Sequence, residues 1–409
     1  MPRDLEIRPL RPEEIERFVQ FSHYTFAGRS PEQRRVDFAG RVRPERDILV
    51  AFEAGEIVSQ VMIYEFQVWI DGVRYPTGGL ANVATAPEQA RRGYARQVLR
   101  ASFRWMRDEL GQCLSTLYPT VFPLYRGLGW TLADDSRQIS GPPVAFRPNP
   151  SLPSDPEGQI VRRTAEAGDV DMLAPLYDAF ARERSGYLDR PRWWWEARVL
   201  GLVRDDPSWI GRWYDSAGVL AGYVVYSFEG PSVSRLRVYE VVALRPEAYQ
   251  GILTFLAAHN LTKEVVISAG RDVPWRSLVA NPHLIQVEAR DQANFMLRVV
   301  DFPRTIARRP APNLAGLPPV ALRVIDESAP WNQGTWRIQA GDRHWNATPD
   351  PEATPGATAD ISTIGALVSG FSSVAEAIEL GTLRGDDGAR PTLEALFQTR
   401  YPPTSRDHF

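Results

Sequence analysis

Residues 80–130 read LANVATAPEQARRGYARQVLRASFRWMRDELGQCLSTLYPTVFPLYRGLGW, and the rest of the chain is best read outward from them. The stretch divides into an apolar strand, a loop punctuated by Pro and Gly, an amphipathic helix, a second strand and a Gly-rich turn carrying Tyr125. In the helix, Ala95, Val98, Leu99, Ser102, Phe103, Met106 and Leu110 recur at three- and four-residue spacing and make one apolar face. Arg96, Arg100, Arg104 and Arg107 fall toward the opposite, solvated face. The chemistry lies in the loop. Gly93 lets the backbone turn tightly and approach a ligand closely. The N–H groups that follow it have no acceptor inside the helix. With the helix dipole behind them, they form a site for a phosphate or pyrophosphate.

A chain of 409 residues predicts roughly two to four domains of ~150 residues each. Its 44% hydrophobic and 24% charged residues describe ordinary globular material. A net charge of −3 gives no support for nucleic-acid binding. No apolar run reaches the ~20 residues that span a membrane, and no secretion signal follows Met1. The single cysteine, Cys113, has no internal disulfide partner and sits in an apolar context, which fits a core residue in a reducing cytoplasm.

Ahead of the opening stretch, a short strand over 5–10, helices over 12–21 and 31–42, and strands over 48–52 and 57–70 are expected. Asp71-Gly72 then turns the chain back along 73–83. Pro142, Pro143, Pro148, Pro150, Pro153 and Pro156 crowd a linker. Beyond it the same order of elements returns: a strand over 158–163, a helix over 169–180, three strands between 209 and 244, and a helix over 246–256. The loop 244–250 has no arginine-glycine turn, so this second copy lacks the phosphate cradle. A second proline-rich join covers 302–319. Strands over 321–326 and 334–340 and helices over 364–368 and 374–380 follow it. The run Arg192-Trp193-Trp194-Trp195-Glu196 is read as a helix packing tryptophans into a domain interface, with a stacking platform as the alternative. His23 and Tyr24 are read either as packed residues or as part of an acceptor site.

The strand–loop–helix segment resembles the acetyl-CoA motif of the GNAT superfamily of N-acetyltransferases, Gln/Arg-x-x-Gly-x-Gly/Ala. Gly93 and Ala95 take its last two places; Ala90 stands at the first, with Gln89 one residue early. A motif-bearing first domain, a motif-less copy and a small third domain resemble the Eis-like (enhanced intracellular survival) acetyltransferases, whose third domain is similar to sterol carrier protein. Leu297-Arg298-Val299-Val300-Asp301-Phe302-Pro303, the Trp336 strand and Thr363-Ile364-Gly365-Ala366-Leu367 resemble that third domain in order, and 124–130 resembles the segment with the family's catalytic tyrosine. The resemblance implies an α/β (α+β) chain of tandem GNAT folds over 1–152 and 153–294, then a sterol-carrier-protein-like domain over 295–409.

It also implies acetyl-CoA as co-substrate, no metal, and acetyl transfer to a small-molecule amine, with an aminoglycoside-like or other polyamine acceptor left open. A cytoplasmic homo-oligomer, a hexamer in the family, is implied as well. Tyr125 would donate a proton to the leaving thiolate. The C-terminal carboxylate of Phe409 would be the base, with His408 as its rival. Val83, Ala84 and Thr85 would hold the thioester and pantetheine arm. Arg91, Arg92, Gly93, Tyr94, Ala95 and Arg96 would hold the pyrophosphate, and Thr120 and Val121 would touch the cofactor again. An acid next to the last residue, suited to a polycation, is absent. The competing readings are an acyl-CoA or lipid-binding sensor without turnover and an acyltransferase for longer chains.

Overall fold

The computed structural model describes residues 5–38, 41–134, 136–202, 208–231, 234–289, 295–311 and 316–409. The strands are, in order, β1 (Leu5–Pro9), β2 (Ile48–Glu53), β3 (Glu56–Ile70), β4 (Val73–Thr85), β5 (Leu114–Leu117), β6 (Thr131–Leu132) and β7 (Arg137–Gly141). The second copy contributes β8 (Gln159–Thr164), β9 (Ser185–Leu188), β10 (Trp209–Tyr214), β11 (Leu220–Glu229), β12 (Arg235–Ala243), β13 (Glu264–Ala269), β14 (Gln286–Ala289) and β15 (Met296–Val299). The last part holds β16 (Val320–Ile325), β17 (Gly334–Ala340), β18 (Trp345–Pro349), β19 (Ala357–Asp360) and β20 (Leu383–Gly385).

Local chemistry sets the first hairpins. Ala54-Gly55 and Asp71-Gly72 both take positive φ at two successive positions, as a tight two-residue turn requires. The strands β2 and β3 that flank the first turn are almost wholly buried. The helix Tyr94–Asp108 buries Val98, Leu99, Phe103 and Met106 against them, the face its spacing predicted. The helix expected over 31–42 spans Pro31–Phe38, and residues 39–40 lie outside the described residues.

The two copies exchange strands. The first sheet runs β1-β2-β3-β4-β5-β15-β6, with β9 on the far end of β3, and the second runs β14-β7-β13-β12-β11-β10-β8. Strand β7 thus leaves the first copy for the second sheet, and β15 returns to complete the first. Leu297 pairs with Thr116 of β5 on one side and Thr131 of β6 on the other. This corrects the assignment of Leu297, Arg298 and Val299 to the third domain: they form a central strand of the first sheet. The boundaries expected at 152 and 294 therefore cut across this exchange.

The third sheet runs β18-β17-β16-β19-β20. The helix Ile361–Ser369 is N-capped by Asp360, which accepts from the Thr363 amide at 2.7 Å. That helix is buried all round because it lies between its own sheet and the first. A Cβ on Gly365 would come within 3.2 Å of Thr131 and 3.4 Å of the Leu297 carbonyl. Arg298 ties the same junction. Fully buried, it donates to both oxygens of Asp326 at 2.8 and 2.7 Å and to the Leu128 carbonyl, with its guanidinium 4.1 Å from the Phe103 ring centre. Only a glycine fits beside it: Gly129 has φ +92, and any Cβ there would overlap the guanidinium.

The last nine residues form no helix or strand, yet Thr404, Ser405 and Asp407 are buried. They lie where β12 and β13 part. Those parallel strands pair from Arg235/Glu264 to Val238/Ile267 and then separate. Beyond that point Thr404 packs on Gly270, and Arg406 donates to the Val241 carbonyl at 3.0 Å. The Thr404 amide also donates to the Ser185 carbonyl at 2.8 Å.

Candidate active site

In the first sheet β4 and β5 pair at Thr77/Leu114, Gly78/Ser115 and Gly79/Thr116, and there the pairing ends. Strand β4 runs on to Thr85. On its other side the β3 register shifts between Gln60 and Met62, opposite Asn82 with φ +49. A bulge of this kind bends the strand and increases its twist. Val83 faces the opening and lines a cavity of about 400 Å³. The Ala84 carbonyl and the Thr85 hydroxyl turn the other way, to the Ser59 hydroxyl at 2.8 and 3.1 Å.

At the end of β4 a short turn, Pro87–Gln89, leads to Arg91 with φ +65 and then to Gly93 with φ +85, the N-cap of Tyr94–Asp108. No side chain caps this helix, so its first amides are left for an outside acceptor. Arg91, Arg92 and Arg96 are exposed around it. Arg96 also reaches the tyrosine turn, 3.3 Å from where a Cβ on Gly127 would sit. Tyr94 is different: its side chain is buried and its hydroxyl donates to Glu53 at 2.5 Å, so it offers the loop only its backbone. Ala95 likewise presents backbone at the helix start. An open β4 end joined to an uncapped helix start fits an extended arm with a diphosphate at one end.

Tyr125 lies on the helix Phe122–Arg126, is 5% exposed, and meets Trp130 edge-on at 5.8 Å. Its hydroxyl makes no hydrogen bond among the described residues, and the residue lines the cavity. Burial pushes its phenol up to about 12. Thr120 lines the same cavity, whereas Val121 is 55% exposed and does not.

Phe409 is brought to this cavity from the far end of the chain. Its ring sits among Phe66 at 5.0 Å, Tyr118 at 5.5 Å and Tyr64 at 6.1 Å, and rests on Gly79. What fixes it is Asp407. This carboxylate accepts from Arg190 Nε at 2.7 Å, Trp194 Nε1 at 2.8 Å and the Tyr177 hydroxyl at 3.3 Å. Arg190 in turn forks onto Glu240 at 3.1 and 2.6 Å. His408 stacks on Tyr118 at 4.4 Å and lines a separate cavity on the second domain's side, not the one holding Tyr125.

Tyr125, Phe409, Val83 and Thr120 thus share one cavity, and the arginine loop flanks it through Arg96. His23 gives Nδ1 to the Arg29 carbonyl at 2.8 Å and Tyr24 is 72% exposed, so neither lines the cavity. In the tryptophan run, Trp194 is buried against Phe66 and Phe409, Trp195 is buried against Tyr177 in the second copy's core, and Trp193 forms part of the cavity wall with Tyr64. Sequence reading did not find Arg34, Asp37, Tyr64 or Tyr118, which also line it. No short motif marks them, because they come from separate elements. The Arg190–Asp407 pair joins residues too far apart for any local pattern.

Residues 6–133 match a family model for an acetyltransferase (GNAT) domain, residues 186–299 match a second GNAT domain model, and 302–405 match a sterol carrier protein domain. The second match ends with β15. The N-acetyltransferase Eis of Mycobacterium tuberculosis is 23% identical over 355 residues, 85% of this chain and 84% of that one. A GCN5-related N-acetyltransferase from Anabaena variabilis superposes with a TM-score of 0.84 at 21% identity, covering 99% of this chain and all of the other. Eis1 from Mycobacterium abscessus gives 0.81 at 22%, with the same coverage. These structural likenesses show the fold. Two GNAT acetyltransferase domains are thus followed by a sterol carrier protein domain, in a chain similar along most of its length to the N-acetyltransferase Eis.

Proposed function

We propose that the chain transfers the acetyl group of acetyl-CoA to the amine of a small molecule in the cavity between Tyr125 and Phe409. The observation that carries this reading is the shared cavity, where the unpaired end of β4, Tyr125 and Phe409 meet. The catalytic unit is the first domain, 1–152, completed by β15. Residues 153–294 serve as scaffold, and 295–409 supply the tail.

Backbone of β4 near Val83 holds the thioester arm, and the amides that open Tyr94–Asp108, with Arg91, Arg92 and Arg96, hold the diphosphate. Acetyl-CoA supplies an activated acyl group. As the N–C bond forms and the C–S bond breaks, one proton leaves the amine and one reaches sulfur. The main-chain carboxylate of Phe409 takes the first. Tyr125 holds the second at Oη. Its phenol, pushed up to about 12, is protonated at neutral pH. Full transfer to sulfur is uphill from so weak an acid, so its main contribution is a hydrogen bond to the developing thiolate.

The test is release of free CoA from acetyl-CoA with a panel of amines, beside calorimetric titration of acetyl-CoA. Turnover with at least one amine is expected; absence of both release and binding overturns the reading. A homohexamer belongs to the same reading, and a monomer by light scattering removes that part of it.

A further inference from the structure

The walls of the acceptor cavity carry an unusual charge. Arg29, Arg34, Arg41 and Arg198 line it, against Asp37 as the one acidic side chain among the described lining residues. Asp37 is already paired with Arg29. Arg34 is the informative one. It is 6% exposed, its Nη2 donates only to the Phe26 carbonyl at 2.6 Å, and its Nε is buried without a partner. It forms no ion pair among the described residues, and the Asp37 carboxylate, paired with Arg29, acts on it only at longer range. A buried guanidinium at a cavity wall that lacks an anion is a site for one, since Arg offers a planar fork matched to carboxylate and phosphate. Arg41 lies 5.6 Å from the Trp193 ring centre. Both Arg41 and Arg198 act on the Tyr64 hydroxyl, whose pKa burial raises and these cations partly restore. Two guanidiniums therefore act at Tyr64, with the Asp37 carboxylate beside them, and Arg34 lines the same cavity. They are separate from Arg91, Arg92 and Arg96 of the diphosphate loop.

We propose that the acceptor is an amine that also carries an anionic group, a carboxylate or a phosphate, and that Arg34, with Arg41 and Arg198, receives that group while the amine faces Tyr125 and Phe409. This rests on the acetyltransferase reading above. It accounts for two features at once. The fixed cations repel a polycationic acceptor, and they favour the neutral form of a bound amine, so a weak base is enough to take its proton.

The experiment compares matched acceptors with acetyl-CoA: phosphoethanolamine against ethanolamine, β-alanine against n-propylamine, and spermidine as the polycation. In at least one pair the anionic member is expected to show a kcat/KM about tenfold or more above its neutral counterpart, with spermidine below both. The pair that responds tells phosphate from carboxylate. Arg34→Gln is expected to lower kcat/KM for the anionic member about tenfold, and mainly through KM, while the neutral member falls less. Arg198→Gln, at an exposed position, gives an independent variant with the same direction and a smaller size. Unchanged calorimetric affinity for acetyl-CoA reports that both variants are folded. Preference for neutral amines or spermidine overturns the anion site and leaves the acetyltransferase reading standing. So does an equal loss for both members of a pair, or a loss of acetyl-CoA affinity that matches the loss for the amine. Failure of the wild-type chain to bind acetyl-CoA overturns both readings.

Discussion

The two GNAT copies each contain a pair of parallel strands that separates partway along. In the first copy β4 and β5 part after Gly79/Thr116, and in the second β12 and β13 part after Val238/Ile267. From there they differ. Neither helix start has a side-chain cap, but the first opening leads to a loop with Gly93 at φ +85. The second leads to Arg245 in extended conformation and Pro246 at the helix start, and Pro has no N–H to offer. The first opening joins the cavity of Tyr125, whereas the second holds the chain's own residues 404–407. One scaffold thus occurs twice, once opening onto the cavity of Tyr125 and once gripping the tail that carries Phe409 back to the first. The copy without the cradle is the one whose opening holds the tail.

The comparison breaks if the second opening does not hold the tail, and the largest effect is expected there. Arg190→Met leaves Asp407 and Glu240 as buried carboxylates without their cation. The expected destabilisation is about 3–5 kcal/mol in denaturant unfolding, and an unchanged midpoint would show that this network does not anchor the tail. Next in size, Tyr125→Phe is expected to lower kcat about a hundredfold with acetyl-CoA affinity intact. The wild-type rate should also keep its Tyr125 contribution up to pH 10. The neutral phenol is the working form, and it is lost only as pH rises through about 12. A fall in kcat centred near pH 10, absent in Tyr125→Phe, would show an unperturbed phenol. Smaller again, one glycine appended after Phe409 keeps the ring but moves the carboxylate. An expected loss of about tenfold in kcat/KM for the amine separates the carboxylate's role from that of the ring. The smallest effect sharpens the first opening. Arg92→Ala removes one exposed charge and is expected to weaken acetyl-CoA about two- to fivefold, less at high salt.

Much of this architecture is legible from local signals. The helix after Gly93 shows itself by spacing, the hairpins by Ala54-Gly55 and Asp71-Gly72, and the duplication by the order of elements. The third domain's helix 361–369 covers the helix expected over 364–368 and begins earlier, at the Asp360 cap. What stays hidden is pairing. A strand such as Met296–Val299 has the same alternation and burial whichever sheet it enters, so nothing local sends it between β5 and β6. Among the candidate site residues, Gly93 is found through turn chemistry, and Tyr125 and Phe409 through resemblance. Arg34 reads as one more arginine in the helix expected over 31–42. Its meaning comes from burial at a cavity wall, which depends on Trp193 and Phe409, residues far along the chain.

The exchange of β7 and β15 has a consequence for how the chain acquires its structure. When synthesis reaches residue 152, the first sheet lacks the strand that belongs between β5 and β6, and that strand lies about 150 residues further on. Until it arrives, β5 is an open edge able to pair with other chains. The first copy therefore cannot be finished as an independent N-terminal unit, as domains made in series usually are. A fragment ending at 152 is expected to show fast amide exchange across β5 and a tendency to aggregate. Adding residues 153–299 is expected to slow that exchange, because the two copies must mature together.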